Sequence, residues 1–397
     1  MSTKAVSVTA PPKVLKKTSA SSVWIRAWRS RVSYIMLLPM FIPFFVFIIV
    51  PVFQSANVSF KDYSAVSTDE SKYIGFDNYT ELLSLQIREQ TPLYDEESGE
   101  RMYQCGRRKR PESEVAAYEA EEGKQCTAAF VSSRDLLGEG YREWQTYDLF
   151  GKNYVIGARD PRFWTAIVNT LYFVAYTVVG KLILGLLVAL ILRKQSRLNY
   201  FLRMVFFLPS VTASIAVTVI WGWIFRGQSY GLLNNMLIEN GIVSQPISFL
   251  NDADWTMPIL VIMAIWGGFG YNMILFLAGL QNINQELYEV AAIDGAGPWA
   301  SFRRITWPLL RPTTLYVVIT SIIGGFQVFD SIYILYANSE GLGGPLDSGL
   351  TVVPYLYDKG FRLFQMGYAS AIAWVLFIVI FFLTLINLRV GRVNEAY

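Results

Sequence analysis

Residues 257–280 read MPILVIMAIWGGFGYNMILFLAGL, residues 281–312 read QNINQELYEVAAIDGAGPWASFRRITWPLLRP, and residues 313–337 read TTLYVVITSIIGGFQVFDSIYILYA. The first and third stretches are predominantly apolar, with Asp330 their one charged residue, and each exceeds the ~20 residues that carry a helix across a bilayer. The stretch between them is too long and too apolar for a simple connection. Working outward, further runs of the same kind lie at 32–53, 165–192, 204–225 and 369–388, giving six candidate spans. The second of these, at about 1.5 Å per residue, makes a helix of roughly 42 Å that must tilt or protrude. The first is too long for a signal peptide and no small-residue cleavage site follows it; Pro39, Pro43 and Pro51 kink it without excluding a span. The pattern is that of an all-α integral membrane protein with six transmembrane helices.

Composition agrees. The chain has 397 residues, 53% hydrophobic and 16% charged, with a mean hydropathy of +0.34, whereas soluble domains carry about 25% charged residues. The few charges are unevenly spread, since residues 86–152 hold 10 basic and 14 acidic side chains. The organisation that follows is a basic tail (1–31), a first span with the start of an outer loop (32–85), a polar insertion (86–152), a membrane core (153–388) and a short tail (389–397). With no histidine there is no imidazole base, Ser-His-Asp triad or imidazole metal ligand. Two cysteines cannot build a Cys₄ zinc site. Each Gly-Lys pair lacks the Ser or Thr of a phosphate-binding loop, and a net charge of +3 does not argue for nucleic acid. The chain is expected to catalyse nothing itself and to bind no metal.

Short-segment charges set the orientation. Residues 1–31 carry seven basic residues and no acid, and residues 193–203 carry Arg193, Lys194, Arg197 and Arg203, again with no acid. By the positive-inside rule both are cytoplasmic, so both termini lie inside and the insertion lies outside. Within 281–312, Leu287, Val290, Ala291 and Ile293 form a short apolar face beside Glu286, Glu289 and Asp294, which predicts a small amphipathic helix. Gly295 suits its end and Pro298 the start of the next helix. Trp299, Phe302 and Ile305 make a second stripe, and Pro308 and Pro312 break it. So small a helix–turn–helix needs a partner surface, either a protein or the lipid headgroups.

These residues resemble the EAA loop of binding-protein-dependent ABC importer permeases, whose pattern is E-A-A, three residues, G, nine residues, I-x-L-P. Glu289, Ala291, Gly295, Ile305 and Pro308 match at the required spacing, while Val290 replaces Ala and Trp307 replaces Leu. GFDNYTELL (75–83), DPRFWTAIVNTLYF (160–173), FQVFDSIYILY (326–336), GGP (343–345) and GYASAIAWVLFIVI (367–380) are similar to the carbohydrate-uptake, maltose-permease (MalF-like) branch. The resemblance covers nearly all of the membrane portion, but not residues 1–25 or 86–152. It implies the type I importer permease fold and a cell-membrane location in a bacterium or archaeon. The loop 286–308 would be a coupling element seated in a separate ATPase dimer, with Glu289, Ala291, Asp294, Gly295, Phe302, Ile305 and Pro308 as its working residues. ATP and Mg would be used by that partner. The other implied partners are a second permease, an extracytoplasmic sugar-binding protein and a sugar.

Only two of the 65 charged residues fall inside the spans, Lys181 and Asp330. Depth argues against a direct pair, because Lys181 lies about 24 Å below the outer start of its span and Asp330 roughly 10 Å below the outer end of its own. The helices flanking the loop supply amides, carboxylate and aromatic faces suited to a sugar: Trp266, Gly268, Tyr271, Asn272, Ser321, Gln327 and Asp330. Gly268, Tyr271 and Ser321 stand at spacings from Glu289 similar to the family's contact positions; the competing reading is helix packing. Cys105 and Cys126, the only cysteines, share the outer insertion, where a bridge persists and would stabilise the loop by about 3 kcal/mol. The insertion reads as a docking surface for the binding protein or as a loop without a dedicated partner. An ion-coupled secondary sugar transporter, the rival reading, calls for poised intramembrane ionisable groups and internal repeats. A membrane-embedded glycosyltransferase calls for a carboxylate or metal constellation. Neither pattern stands out here.

Overall fold

The computed structural model describes residues 31–66, 71–95, 97–337 and 342–393. Residues 1–30 and 394–397, which carry most of the basic tail and the end of the C-terminal one, lie outside the described residues. Contacts divide the chain into two units, Met1–Asn57 and Val58–Tyr397. The described part of the first, residues 31–57, is helical and holds most of the candidate span α1 (Ile35–Ser59). Pro39 and Pro43 each remove an N–H from its hydrogen-bond ladder, and a widened π turn, Phe45–Ile49, follows directly.

The second unit is built on α2 (Pro161–Ile191), α3 (Arg197–Val211), α4 (Ser214–Ile224), α5 (Ala253–Gln281), α6 (Gln285–Ile293), α7 (Arg311–Phe326), α8 (Asp330–Tyr336) and α9 (Met366–Val393). Among the described residues, five stretches are long and apolar enough to cross a membrane: α1, α2, α5, the α7–α8 pair and α9. The expected third span, 204–225, is not one straight helix. It is divided between α3 and α4, which meet at a 95° bend. Pro209 lacks the N–H that would continue the ladder, and Thr212 turns extended (φ −77°, ψ 143°) while its hydroxyl donates to the Leu208 carbonyl. The fifth expected span is also interrupted, at Gln327–Phe329, between α7 and α8.

Lipid tails are as apolar as leucine, so helices in a bilayer join by close contact rather than by the hydrophobic effect. Small residues supply that contact. A Cβ on Gly185 of α2 would stand 2.9 Å from the Asn272 Cβ on α5, and one on Gly270 of α5 would stand 2.0 Å from the Phe206 carbonyl oxygen of α3. Around these contacts Leu186, Ala189, Met273, Phe276, Leu280 and Leu310 form a buried cluster at one end of the bundle. Phe163, Ala166, Leu350, Tyr355, Tyr368 and Ile372 form another at the opposite end.

That opposite end carries a polar network that sequence reasoning did not foresee. The buried Asp160 caps α2, accepting the Phe163 N–H at 3.2 Å, and also accepts the Tyr355 and Tyr368 hydroxyls at 2.5 Å each. Burial, reinforced by the Asp160 charge, pushes the Tyr355 phenol far above its usual range, so it stays a donor. Arg162 pairs with Asp347 at 2.8 Å and reaches Asp358 at 3.5 Å, and Asn169 donates to the Asp347 and Leu350 carbonyls. Motifs separated by about 180 residues of chain, DPRFW at 160–164 and the segments around 343–368, thus close on one another.

The polar insertion is folded. Strand β3 (Leu85–Glu89) pairs antiparallel with β8 (Lys152–Ala158), which pairs with β7 (Arg142–Leu149). A second sheet joins β5 (Arg108–Pro111), β4 (Met102–Cys105) and β6 (Thr127–Ala128). The numbering counts the small pair β1 (Lys61–Asp62) and β2 (Lys72–Tyr73) before them. A disulfide joins Cys105 to Cys126.

The glycine contacts make a signed prediction. Gly270→Ala drives a methyl into the Phe206 backbone and should cost about 1–3 kcal/mol. Gly267→Ala, where nothing lies within 4 Å of the new carbon, should be neutral or stabilising because alanine favours helix by about 1 kcal/mol. Thermal unfolding of the purified protein checks both; equal melting points would refute the close contact.

Candidate functional site

The segment joining α5 to α7 is ordered from end to end. Asn284 caps α6, its side-chain oxygen accepting the Glu286 N–H at 3.0 Å, as an N-cap should. At the other end Gly295 adopts φ +75°, where a side chain is strained. Its N–H donates to the Ala292 carbonyl at 3.1 Å, and the Ala296 N–H reaches back to Ala291 at 2.8 Å. Those two bonds are a Schellman closure of the helix. Pro298 then starts a short helix, Pro298–Ser301, and the chain runs through a π turn (Phe302–Thr306) and Trp307–Leu309 into α7.

One face of this segment is fastened to the bundle. Tyr288, Phe302 and Ile305 pack on the buried cluster of Leu186, Met273, Phe276, Leu280 and Leu310. The Tyr288 hydroxyl lies 2.9 Å from the buried Thr306 hydroxyl, and the Arg193 guanidinium sits 4.2 Å from the Tyr288 ring centroid. The other face is open and apolar: Ile293 is 85% exposed, Trp299 72% and Val290 56%. Trp299 stacks on Phe302 at 5.6 Å, so the open face is tied to the seated one. Glu286, Glu289 and Asp294 are exposed on α6 and its C-cap beside this patch. Of the loop residues singled out by sequence, Phe302 and Ile305 are therefore seats, Ala291 and Gly295 make the turn, and Glu289 and Asp294 face outward; Pro308 begins the last short helix before α7.

The residues proposed for a sugar path do not converge. Asn272 and Ser321 are buried together, amide to hydroxyl at 3.3 Å. Gly268 lies against the Lys181 side chain, where a Cβ would stand 2.6 Å from its Cε. Tyr271 is 44% exposed and bonded to Tyr316. Trp266 packs edge-on against Trp221 at 5.7 Å. Gln327 opens instead onto an apolar groove with Val353, Leu356, Phe377 and Phe381. Asp330 accepts the Ser214 hydroxyl at 2.6 Å, and no ion pair joins it to Lys181 among the described residues. Sequence reasoning missed Tyr288, Thr306 and Arg193, since a tyrosine in an amphipathic helix gives no sign of its partner across 18 residues. The described residues include no group of three or more His, Cys, Asp or Glu suited to a metal ion.

The geometry at Gly295 yields a direct test. Gly295→Ala should cost about 1–2 kcal/mol, all of it conformational because nothing lies within 4 Å of the new carbon. Deuterium uptake by the peptide over 285–301 should rise about 5–30-fold; unchanged uptake would contradict the closure described.

Comparison with known proteins places this arrangement. The sequence profile of the family described as "Binding-protein-dependent transport system inner membrane component" matches residues 181–394. The "Arabinooligosaccharides transport system permease protein AraP" of Bacillus subtilis (strain 168) is 38% identical over 233 residues, 58% of this chain and 72% of that protein. The "Lactose transport system permease protein LacF" of Rhizobium radiobacter is 35% identical over 235 residues, 59% of this chain and 77% of that one. In fold, the chain is similar to a subunit of a bacterial alginate ABC transporter solved with an alginate pentasaccharide-bound periplasmic protein. The TM-score is 0.65 at 21% identity, over 94% of this chain and 98% of that one.

Proposed function

The chain belongs to the binding-protein-dependent transport system inner membrane components, and on that premise we propose that it is one permease of an ATP-driven sugar importer, coupled to a separate ATPase through 286–308. It is a multi-pass membrane protein. The observation that carries the reading is the two-faced loop: Tyr288, Phe302 and Ile305 fixed to the core, and Val290, Ile293 and Trp299 exposed on the other face among the described residues. A rigid element with two such faces passes movement of a partner into the helices on either side. On α6 itself Glu286 and Glu289 stand without a base, and an anionic leaflet repels them; the bases of the segment, Arg303 and Arg304, follow in the π turn.

In this reading Glu289 pairs with a basic residue of the ATPase and Gly295 permits the turn at its surface. ATP and Mg belong to that partner, and this chain catalyses nothing. With α3 and α4 counted as one broken span, six crossings leave both termini in the cytoplasm. The basic segment 193–203 and the loop then face the same side. The folded insertion is outside, in an environment where the Cys105–Cys126 bond persists. A second, similar permease completes the pore, and an external solute-binding protein delivers the substrate. The relatives' names, one for arabinooligosaccharides and one for lactose, support a saccharide.

Replacing Glu289 by lysine tests the reading. In proteoliposomes holding the whole complex, Glu289→Lys should abolish substrate-stimulated ATP hydrolysis while the ATPase still co-purifies through the apolar face. Hydrolysis and uptake at the normal rate would overturn the assignment of the loop.

A further inference from the structure

At the end of the bundle opposite the coupling loop, a cavity of about 390 Å³ opens between the end of α4, the turn that precedes α5, and α8. Its size is that of a small-ligand site, for which ~300–1,000 Å³ is usual. Trp223, Arg226, Gln228, Asn251, Thr218 and Tyr336 line it, and no acidic side chain does. Trp223 is 65% exposed, so its ring is available to a flat partner. The Arg226 guanidinium lies 5.6 Å from the Trp223 ring centroid and 5.5 Å from that of Tyr230. Two aromatic rings hold the cation while its N–H fork, which matches a carboxylate in geometry, meets no acid among the described residues.

A second unpaired cation lies deeper. Lys181 stands about two-thirds of the way along α2 and its stem is laid against Gly268, about 22 Å along α5 from Ala253. It makes no hydrogen bond or ion pair with any described residue. Helix side chains tilt toward their N-terminus, which aims Lys181 away from the coupling-loop end of α2 and toward the bundle's middle. An unpaired charge there is costly and marks a path or a missing counter-ion.

Resting on the importer reading, we propose that the imported saccharide is acidic: the cavity is a mouth subsite in which Arg226 grips a carboxylate, Trp223 stacks on a sugar ring, and Gln228 and Asn251 bond hydroxyls. Lys181 is the counter-ion for the same group further along. Planar amides and an aromatic face beside the guanidinium favour a sugar carboxylate over a lipid phosphate, which needs only the charge.

The test uses the complete importer in phosphatidylcholine nanodiscs and two tritiated probes, a digalacturonide and the neutral galactobiose. The intact complex should bind the digalacturonide at least tenfold more tightly. Arg226→Gln should reduce that preference to threefold or less, and Arg226→Lys should restore more than half of it, with co-elution of the ATPase reporting that each variant is assembled. Equal binding of the two probes by the unaltered complex overturns the inference alone. A preference that survives Arg226→Gln also overturns it. Absence of binding by both probes overturns it as well, and the importer reading is judged separately by the Glu289→Lys measurement.

Discussion

Everything in the second unit depends on how closely α2 and α5 approach. No hydrophobic force draws two helices together in a bilayer, so the contact must come from shape. Gly180 receives Ile265, Gly268 receives the stem of Lys181, and Gly185 receives Asn272. The two helices run side by side in the same direction, and their ends define the ends of the molecule. At one end their last turns build the cluster that seats the coupling loop. At the other, Asp160 and Arg162 at the start of α2 gather the chain around 343–368. A side chain added along this seam would therefore act at both ends at once.

The seam also bears on the proposed transmission of force through the loop. Tyr288, Phe302 and Ile305 do not float on the surface; they rest on Leu280 and Leu310, where α5 ends and α7 begins. In the proposed coupling, a push on Trp299 would pass through its stacked neighbour Phe302 into that cluster. The polar network at the far end has the complementary task. Buried charges are stable there only with partners, so removing one member strands the others. Asp160 alone holds a helix cap and two phenols.

Much of this was legible in the sequence, and for physical reasons. Apolar runs of about 20 residues have few meanings, so α2, α5 and α9 were readable from length alone. The turn at Gly295 was readable because few residues tolerate positive φ. The bend between α3 and α4 was not, because Pro209 is compatible with either a kinked span or a broken one, and hydropathy over 204–225 is the same in both. The Asp160–Tyr355–Tyr368 cluster was invisible too. Its members are about 200 residues apart in the chain, and a motif such as DPRFW carries no record of which side chains it will meet. The surroundings of the residues named for a sugar path were not readable either: Asn272 meets Ser321, whereas Trp266 packs on Trp221 and Asp330 accepts from Ser214, and none of those partners is marked in the chain.

The central claim is that the open face of the 286–308 loop meets an ATPase on the cytoplasmic side. The most direct measurement places a single cysteine at Ile293, the most exposed apolar residue of that loop at 85%, after both native cysteines are replaced by serine. In intact cells the account predicts no labelling by a membrane-impermeant maleimide, and in the purified complex a crosslink to the ATPase subunit whose yield changes when ATP is added. Labelling from outside, or an assembled complex with no crosslink under either condition, would contradict it.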